Sequence, residues 1–276
     1  MTQTVLITGC SSGFGKASAL KFRSAGWNVV ATMRNTEHWE ETQGSEGIVV
    51  TTLDVQDEAT IDRAITLGVE RFGRIDCVVN NAGMGLLSVF EATPMETIKA
   101  LFGTNVFGPM RVTQAILPHF QENGGGRIIN ITSGSATLPE PLMSVYSASK
   151  GALHNFTEAL QYELQTQHVT VKLVEPGFVA STQFIQQVQQ AAGAVPVPPS
   201  YQAYVDQRIA VYMGEPPTDY FFATENDVAE AVLAAATDTT GQLRFLVGQD
   251  AEDGDRMRRA PSTEYNEWRN SRFAPR

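Results

Sequence analysis

The 276-residue sequence has few cysteines, few histidines and no long apolar run. Its two cysteines, Cys10 and Cys77, lie far apart and the four histidines are scattered, so no spacing predicts a structural metal site. No segment approaches the roughly 18 consecutive apolar residues that a membrane-spanning helix requires. The N-terminus does not resemble a secretory signal peptide. We therefore expect a cytoplasmic protein with no metal and no membrane segment.

The chain also has no excess of positive charge. Its 20 lysines and arginines are outnumbered by 30 aspartates and glutamates, which gives a formal net charge of −10. A nucleic-acid-binding protein needs a basic surface to neutralise phosphates, so this composition argues against that class. The apolar fraction of 42% is ordinary for a globular protein and is enough to build a sizeable core.

Short β-branched segments alternate with helix-like segments along the chain. Several predicted strands are continuous apolar runs, which is typical of strands buried on both faces of a parallel sheet. The predicted strands are 4–8, 28–32, 48–53, 75–79, 127–132, 170–175 and 243–247, and the predicted helices are 13–25, 58–72, 94–122, 147–167 and 225–236. This alternation predicts an α/β fold, a single doubly wound Rossmann-type domain with a mainly parallel seven-stranded sheet flanked by helices.

Two regions depart from the alternation. The segment 183–222 is rich in glutamine, proline and aromatic residues, a composition that favours a packed substrate lid over a disordered insertion. The tail 249–276 is charged, and its course over the surface or onto a neighbouring subunit stays open. The chain 1–276 is thus predicted to be one dinucleotide-binding and catalytic domain with a lid and a tail.

A glycine-rich loop lies between the first predicted strand and the first predicted helix. Glycines permit a tight turn, and the N-terminus of the following helix presents N–H groups and a positive dipole to an anion. The candidate pyrophosphate contacts are Gly9, Ser11, Ser12, Gly13, Phe14 and Gly15. A P-loop is excluded because Lys16 is followed by Ala17, where that motif has serine or threonine.

The spacing Thr-Gly-x-x-x-Gly-x-Gly over residues 8–15 resembles the cofactor loop of the short-chain dehydrogenase/reductase family. Further stretches similar to the family follow in order over about residues 3–182, and more loosely beyond. The length of the segment 183–222 and the Cys-Ser-Ser glycine loop most resemble the hydroxysteroid- and retinol-dehydrogenase-like branch. The resemblance implies a nicotinamide dinucleotide cofactor. It also implies adenine and ribose-side contacts from Asp54, Val55, Asn81, Ala82 and Gly83.

The end of the second predicted strand bears on the choice between NAD and NADP. Folds that bind NAD generally place an acidic residue here, but Met33 occupies the position and Arg34 follows it. A guanidinium pairs with the 2′-phosphate that a carboxylate would repel, and Ser11 and Ser12 could add hydroxyl donors. NADP(H) is therefore favoured over NAD(H). The alternative is that Arg34 is an ordinary surface residue.

Tyr146 and Lys150 lie four residues apart at the start of a predicted helix and therefore share one face of it. The spacing predicts that the ammonium lowers the pKa of the phenol, which suits an acid/base for a carbonyl or alcohol oxygen. The family resemblance adds two residues: Ser133, which stabilises the substrate oxygen, and Asn105, which holds a relay water. It therefore implies a catalytic tetrad of Asn105, Ser133, Tyr146 and Lys150, with the last two also contacting the cofactor.

The Pro-Gly-Phe-Val-Ala-Ser-Thr stretch after the sixth predicted strand resembles the family's segment beside the nicotinamide. The resemblance assigns four of its residues to the cofactor site: Pro176, Gly177, Val179 and Ser181. The family usually has threonine at the place of Ser181, and here the threonine follows at Thr182. Which of the two hydroxyls binds the carboxamide stays open.

Together the motifs predict an NADP-dependent oxidoreductase that transfers a hydride between nicotinamide and a hydrophobic ketone or secondary alcohol. Its expected partners are a small carbonyl or alcohol substrate and further copies of itself, because relatives commonly form homodimers or homotetramers. The alternatives are an NAD(P)-binding regulatory sensor without turnover and an NAD-preferring alcohol dehydrogenase of the same family. An epimerase- or dehydratase-like enzyme and an acyl-carrier-linked ketoreductase are further rivals.

Overall fold

Strands and helices alternate through the computed structural model, which describes residues 2–37, 39, 46–179, 195–212, 214 and 221–275. The strands are β1 (Thr4–Ile7), β2 (Asn28–Met33), β3 (Ile48–Thr52), β4 (Cys77–Asn80), β5 (Gly126–Ile131), β6 (Val169–Pro176) and β7 (Arg244–Val247). The α-helices are α1 (Gly13–Ser24), α2 (Glu58–Phe72), α3 (Met95–Phe102), α4 (Gly108–Glu122), α5 (Ser144–Leu164), α6 (Gln202–Tyr212), α7 (Glu225–Thr237), α8 (Gln249–Arg258) and α9 (Ser262–Phe273).

The strands form one sheet in the order β3-β2-β1-β4-β5-β6-β7, and every neighbouring pair is parallel. The chain winds outwards from β1 to β3 and then crosses back to β4 on the other side of β1. Ligands of open parallel sheets bind at the carboxyl ends of the strands where the order reverses in this way. The predicted doubly wound, seven-stranded sheet is confirmed, and the pairing is wholly parallel.

Apolar side chains cover both faces of the sheet. Val5 and Ile7 of β1 belong to one buried cluster, which also contains Phe22 of α1 and residues of α7. Leu6, between them, points to the opposite face and belongs to a second cluster with Ile61 of α2 and residues of α4 and α5. Burial on both faces explains why the strands are continuous apolar runs.

The predicted helix 94–122 is interrupted, which corrects the expectation of one long helix. A π-helical turn, Gly103–Phe107, separates α3 from α4. A Cβ on Gly108 would lie 2.7 Å from the side chain of Val55, so this glycine lets the helix press against the loop after β3. Such π turns are frequent at functional sites, and this one contains Asn105.

Two further elements differ from the prediction made for them. Helix α5 begins at Ser144, ahead of the predicted start at Ser147, so Tyr146 lies inside its first turn. The charged C-terminal tail forms helices α8 and α9 over its described residues. Helix α8 packs against the turn that follows β5, where a Cβ on Gly134 would lie 3.5 Å from Ala251. Over the described ranges, no helix is long and apolar enough to cross a membrane.

Candidate active site

The glycine loop lies at the carboxyl end of β1, next to the point where the strand order reverses. Gly9 and Gly13 have positive φ angles of 73° and 55°, which residues with a side chain rarely adopt. A Cβ on Gly15 would overlap the carbonyl oxygen of Gly9 and the side-chain amide of Asn81. The first two glycines therefore supply a turn conformation, and Gly15 permits a close approach between segments.

The N-terminus of α1 fits an anionic group. Ser12 is the N-cap in an extended conformation, and within the described chain its side chain does not cap the first turn. A Cβ on Gly13 would meet no described atom within 4 Å, so the backbone is open at this point. The first turn carries no acidic residue that would offset the helix dipole. The loop thus suits a pyrophosphate, with Ser11 exposed and Phe14 packed on the core below.

Asn81 and Ala82 connect the end of β4 to the glycine loop. Asn81 Nδ2 donates to the carbonyl oxygens of Thr8 at 2.8 Å and Gly9 at 3.1 Å. The Thr8 hydroxyl accepts from the backbone N–H groups of Asn81 and Ala82, each at 3.0 Å. The Asn-Asn-Ala-Gly stretch therefore joins the two strand ends between which a ligand of this fold binds.

Charged side chains follow both β2 and β3, with Arg34 directly after β2 and Asp54 two residues after β3. Met33 is 3% exposed and packs in the core, whereas the side chain of Arg34 is exposed. Asp54 follows β3, and its Oδ1 accepts from the Gln56 backbone N–H at 2.9 Å. Val55 is buried. Arg34, the first residue after β2, is thus a side chain that a ligand at this strand end could reach.

Ser133, Tyr146 and Lys150 meet where β5 ends and α5 begins. The Ser133 hydroxyl accepts from the Ser135 backbone N–H at 3.2 Å and is hydrogen-bonded to the side chain of Tyr146. Lys150 Nζ donates to the carbonyl oxygen of Ile131 at 3.0 Å and lies 6.0 Å from the centroid of the Tyr146 ring. Tyr146 is 7% exposed and Lys150 5%. The structure brings these three predicted residues together.

Asn105 is fully buried in the π turn and holds the loop after β4. Its Oδ1 accepts from the Met84 backbone N–H at 2.8 Å, and its Nδ2 donates to Met84 O at 2.9 Å and to Ser149 Oγ at 3.1 Å. A Cβ on Gly83 would lie 3.5 Å from both Asn105 Oδ1 and Lys150 Nζ. The fourth predicted tetrad residue therefore lies in the same small region as the ammonium.

Burial controls the ionisation of the predicted acid/base pair. It raises the pKa of Tyr146 to about 12, although the hydrogen bond from Ser133 opposes the rise. It also lowers the pKa of Lys150 to about 8. The expected lowering of the Tyr146 pKa by Lys150 is therefore wrong for this structure, because desolvation is the dominant effect and Lys150 donates to the Ile131 carbonyl oxygen. Tyr146 is a neutral phenol that can donate a proton.

Glu140, which sequence reasoning missed, lies beside the candidate catalytic residues. Its position in the loop between Ser133 and Tyr146 brings its charge close enough to raise the pKa of Tyr146 further. Burial raises the pKa of Glu140 itself to about 7, and the carboxylate of Asp250 adds to the rise. The Tyr212 hydroxyl lies 3.3 Å from Glu140 Oε2. The only sequence signal was an acidic residue between two prolines.

Helix α6 contacts both the loop that contains Glu140 and the C-terminal helix α9. The Tyr204 hydroxyl donates to Phe273 O at 2.9 Å, and Arg208 Nη1 donates to Arg272 O at 2.8 Å. The Arg208 guanidinium also lies over the rings of Tyr212 and Phe273, at 5.4 and 5.6 Å from their centroids. Residues 195–212 are therefore packed on the side of the molecule that holds the catalytic loop, while much of the predicted lid 183–222 lies outside the described residues.

A buried ion network connects α5, β6, β7 and α8. Glu175 accepts from Arg244 Nε at 2.8 Å and Nη2 at 2.7 Å, and His154 Nδ1 lies 3.3 Å from Glu175 Oε1. Arg244 Nη1 also donates to Asp255 of α8 at 2.7 Å. Burial alone would raise the pKa of Glu175, but Arg244 and His154 more than offset it and the pKa is lowered. The network fixes α8 against the sheet.

Comparison with known proteins identifies the family. The family model described as short chain dehydrogenase matches residues 3–193, which is more than half of the chain. The chain therefore belongs to the short-chain dehydrogenase family. An uncharacterized oxidoreductase of Schizosaccharomyces pombe is 35% identical over 216 residues, covering 78% of this chain and 88% of the relative. The family and this relative together show an oxidoreductase.

Several solved structures have a similar fold. A short-chain dehydrogenase from Streptomyces avermitilis is 32% identical with a TM-score of 0.82, covering 99% of this chain and 98% of that one. A 3-ketoacyl-(acyl-carrier-protein) reductase from Brucella melitensis, solved with NADH, is 27% identical with a TM-score of 0.73 and coverages of 88% and 96%. A serine dehydrogenase solved with NADP+ is 28% identical with a TM-score of 0.74 and coverages of 88% and 94%.

Proposed function

We propose that the chain is an NADP-dependent oxidoreductase acting on a hydrophobic ketone or the corresponding secondary alcohol, with Tyr146 as the acid/base. The observation that carries the proposal is the meeting of Ser133, Tyr146 and Lys150 at the carboxyl end of the sheet. Membership of the short-chain family supports the reaction class. The apolar substrate is proposed from the resemblance to the hydroxysteroid- and retinol-dehydrogenase-like branch.

The residues around the strand ends fit a dinucleotide. The open glycine loop would hold the pyrophosphate, Asp54 and Val55 the adenine, and the segment 176–179 the nicotinamide. Ser181 and Thr182 lie outside the described residues, so the choice between them for the carboxamide contact stays a prediction. When bound, the nicotinamide supplies or accepts the hydride.

The proton is handled by the protein. As a C–H bond forms at the carbonyl carbon, the Tyr146 phenol donates its proton to the carbonyl oxygen, and the Ser133 hydroxyl donates a hydrogen bond to the same oxygen. Lys150, with a pKa lowered to about 8, can return a proton to the phenolate. Asn105 keeps the loop next to the ammonium in place. Alcohol oxidation follows the same path in reverse.

Arg34 supports the preference for NADP over NAD. Its guanidinium is exposed at the end of β2, whereas Met33, where NAD-binding folds generally place a carboxylate, is buried. Similarity to known structures does not decide between NAD and NADP, because one similar structure contains NADH and another contains NADP+. The proposal therefore depends on this chain's own residues.

We also propose a homodimer or homotetramer that forms through α4 and α5. Phe107, just before α4, is 50% exposed, and Tyr162 on α5 is 72% exposed, so large apolar groups face outwards along both helices. Light scattering coupled to size-exclusion chromatography tests the assembly. A mass of two or four chains is expected, and a monomer at micromolar concentration contradicts this proposal.

Calorimetric titration of the protein with NADPH and with NADH tests the proposed cofactor, and a panel of ketones then tests turnover. We expect tighter binding of NADPH and oxidation of NADPH by at least one apolar ketone. Tighter binding of NADH would leave the assignment as an oxidoreductase unchanged and would contradict the proposed role of Arg34 in selecting NADP. Binding without turnover on any ketone or alcohol would favour a regulatory sensor, and binding of neither nucleotide would contradict the proposal as a whole.

A further inference from the structure

The first two residues of α8, Gln249 and Asp250, contact two segments on the active-site side of the molecule. Asp250 Oδ2 accepts from the Phe178 backbone N–H at 2.5 Å. The neighbouring Gln249 donates its backbone N–H to Phe221 O at 3.1 Å and accepts from Phe221 N at 3.2 Å through Oε1. The rings of Phe178 and Phe222 pack edge to face, with their centroids 5.7 Å apart. The start of α8 thus holds the segment after β6 and the segment before α7 together.

Two glycines make room for the Asp250 carboxylate. A Cβ on Gly177 would overlap this carboxylate, and a Cβ on Gly248 would lie 2.7 Å from its Oδ1. Gly177 is held in turn by its backbone N–H, which donates to Val247 O at 2.8 Å. The carboxylate therefore fits against the backbone of the Pro-Gly segment, and the glycine at position 177 is required by Asp250 itself.

Helix α8, which begins with Gln249 and Asp250, is anchored at two other points. Helix α8 is joined to the sheet through Asp255 and Arg244, and Ala251 lies against the turn that follows Ser133. Asp250 Oδ1 is buried and has no hydrogen-bond partner among the described residues.

We propose that Asp250 is a positioning residue that fixes the segment Pro176–Val179 in the conformation that receives the nicotinamide half of the cofactor. This inference rests on the proposed function, in which that segment faces the nicotinamide. A displacement of about 1 Å in such a segment can reduce the rate of a reaction about 100-fold, so one directional hydrogen bond at Phe178 has a large effect. The adenine half is bound at the other strand ends and does not depend on Asp250.

The test compares whole cofactors with fragments that lack the nicotinamide. NADPH, NADH, 2′,5′-ADP and ADP are titrated calorimetrically into the wild type, Asp250→Ala, Asp250→Asn and Glu252→Ala. Glu252 is the matched control, because it is an exposed carboxylate in the same first turn of α8. We expect Asp250→Ala to weaken the preferred dinucleotide about tenfold and the matching fragment less than twofold. Asp250→Asn keeps an oxygen acceptor for Phe178 and should recover most of the affinity.

Equal losses for dinucleotide and fragment, or no loss for either, would overturn the proposal. Hydrogen exchange of the peptide that contains Phe178, measured without nucleotide, tests the positioning role of Asp250 separately from the proposed function. Exchange should be faster in Asp250→Ala than in the wild type or Glu252→Ala. If the wild type binds neither nucleotide, the proposed function fails, whereas unchanged exchange at Phe178 in Asp250→Ala overturns the positioning role even when the wild type binds NADPH.

Discussion

The proposed cofactor half and the proposed substrate half of the candidate site are built from different parts of the chain. The proposed cofactor half consists of loops at the ends of neighbouring strands, where the side-chain amide of Asn81 donates to the backbone carbonyl oxygens of Thr8 and Gly9. The proposed substrate half is built on helices outside the sheet, where the Tyr212 side chain of α6 reaches Glu140. Both halves join residues that are distant in sequence.

The difference lies in what brings the distant residues together. Parallel strands place the carboxyl ends of β1 and β4 side by side, so their loops meet wherever the sheet forms. Helices α6 and α9 lie outside the sheet and contact each other through side chains, as in the hydrogen bond from Arg208 to Arg272 O. Binding at the cofactor half should therefore be most sensitive to substitutions that add a side chain where two backbone segments meet. The substrate half should be most sensitive to the removal of individual side chains.

Gly15→Ala is expected to have the largest effect on the cofactor half. The added Cβ would overlap Gly9 O, so the loop must move, and a movement of this size should weaken NADPH binding about 100-fold. Calorimetric titration measures the loss. Gly26→Ala is the control for a general loss of stability, since Gly26 has a positive φ of 86° that disfavours a side chain and lies outside the loop. Wild-type affinity in Gly15→Ala would show that the loop does not need this close approach.

The paired change Met33→Asp with Arg34→Ala should shift the nucleotide preference. Removal of the guanidinium and addition of a carboxylate should favour NADH over NADPH by about tenfold or more relative to the wild type. The ratio of the two dissociation constants gives the result. An unchanged ratio would show that Ser11, Ser12 or Lys16 selects the nucleotide.

Tyr212→Phe tests the substrate half without touching the cofactor half. The change removes the hydroxyl that contacts Glu140 Oε2 and lies 3.1 Å from Pro141 O. The loss of one such hydrogen bond should raise the KM for the ketone about fivefold and leave the affinity for NADPH unchanged. Tyr162→Phe on the exposed face of α5 is the matched control. A change in NADPH affinity of similar size would mean that the two halves are not separate.

Glu140→Gln should produce the smallest effect, a pH-dependent change in stability. Because burial raises the folded-state pKa of Glu140 from 4.5 to about 7, its stabilising contribution is complete below pH 4.5 and is lost as the pH rises through 7. The variant cannot ionise and should have a higher Tm than the wild type at pH 8, by about 2–4 °C, with a smaller difference at pH 5. A difference in Tm that does not change with pH would contradict this assignment.

The sheet could be predicted because buried parallel strands are continuous apolar runs bounded by turns. All seven predicted strands lie within two residues of the observed ones. The π turn around Asn105 could not be predicted, because the apolar pattern of 94–122 continues through it and the close approach of Gly108 to Val55 is a tertiary contact. The course of α8 and α9 depends on similar long-range contacts.

In the candidate site, sequence reasoning located residues better than it described their environments. The motif spacing correctly indicated that Tyr146 and Lys150 lie close together. It could not show that Lys150 donates to Ile131 O or that desolvation dominates the pKa of Tyr146. Glu140 and Asp250 were missed because their significance comes from partners in other elements, and neither residue belongs to a recognisable pattern.

The most direct test of the central claim is the steady-state rate of NADPH oxidation with an active ketone, measured for the wild type and for Tyr146→Phe. Loss of the phenolic proton donor should lower kcat by about 10²- to 10⁴-fold, while calorimetry shows unchanged NADPH affinity. That result would establish Tyr146 as the acid of the reaction. Turnover equal to the wild type would contradict the mechanism and leave the Ser133–Tyr146–Lys150 cluster without a catalytic role.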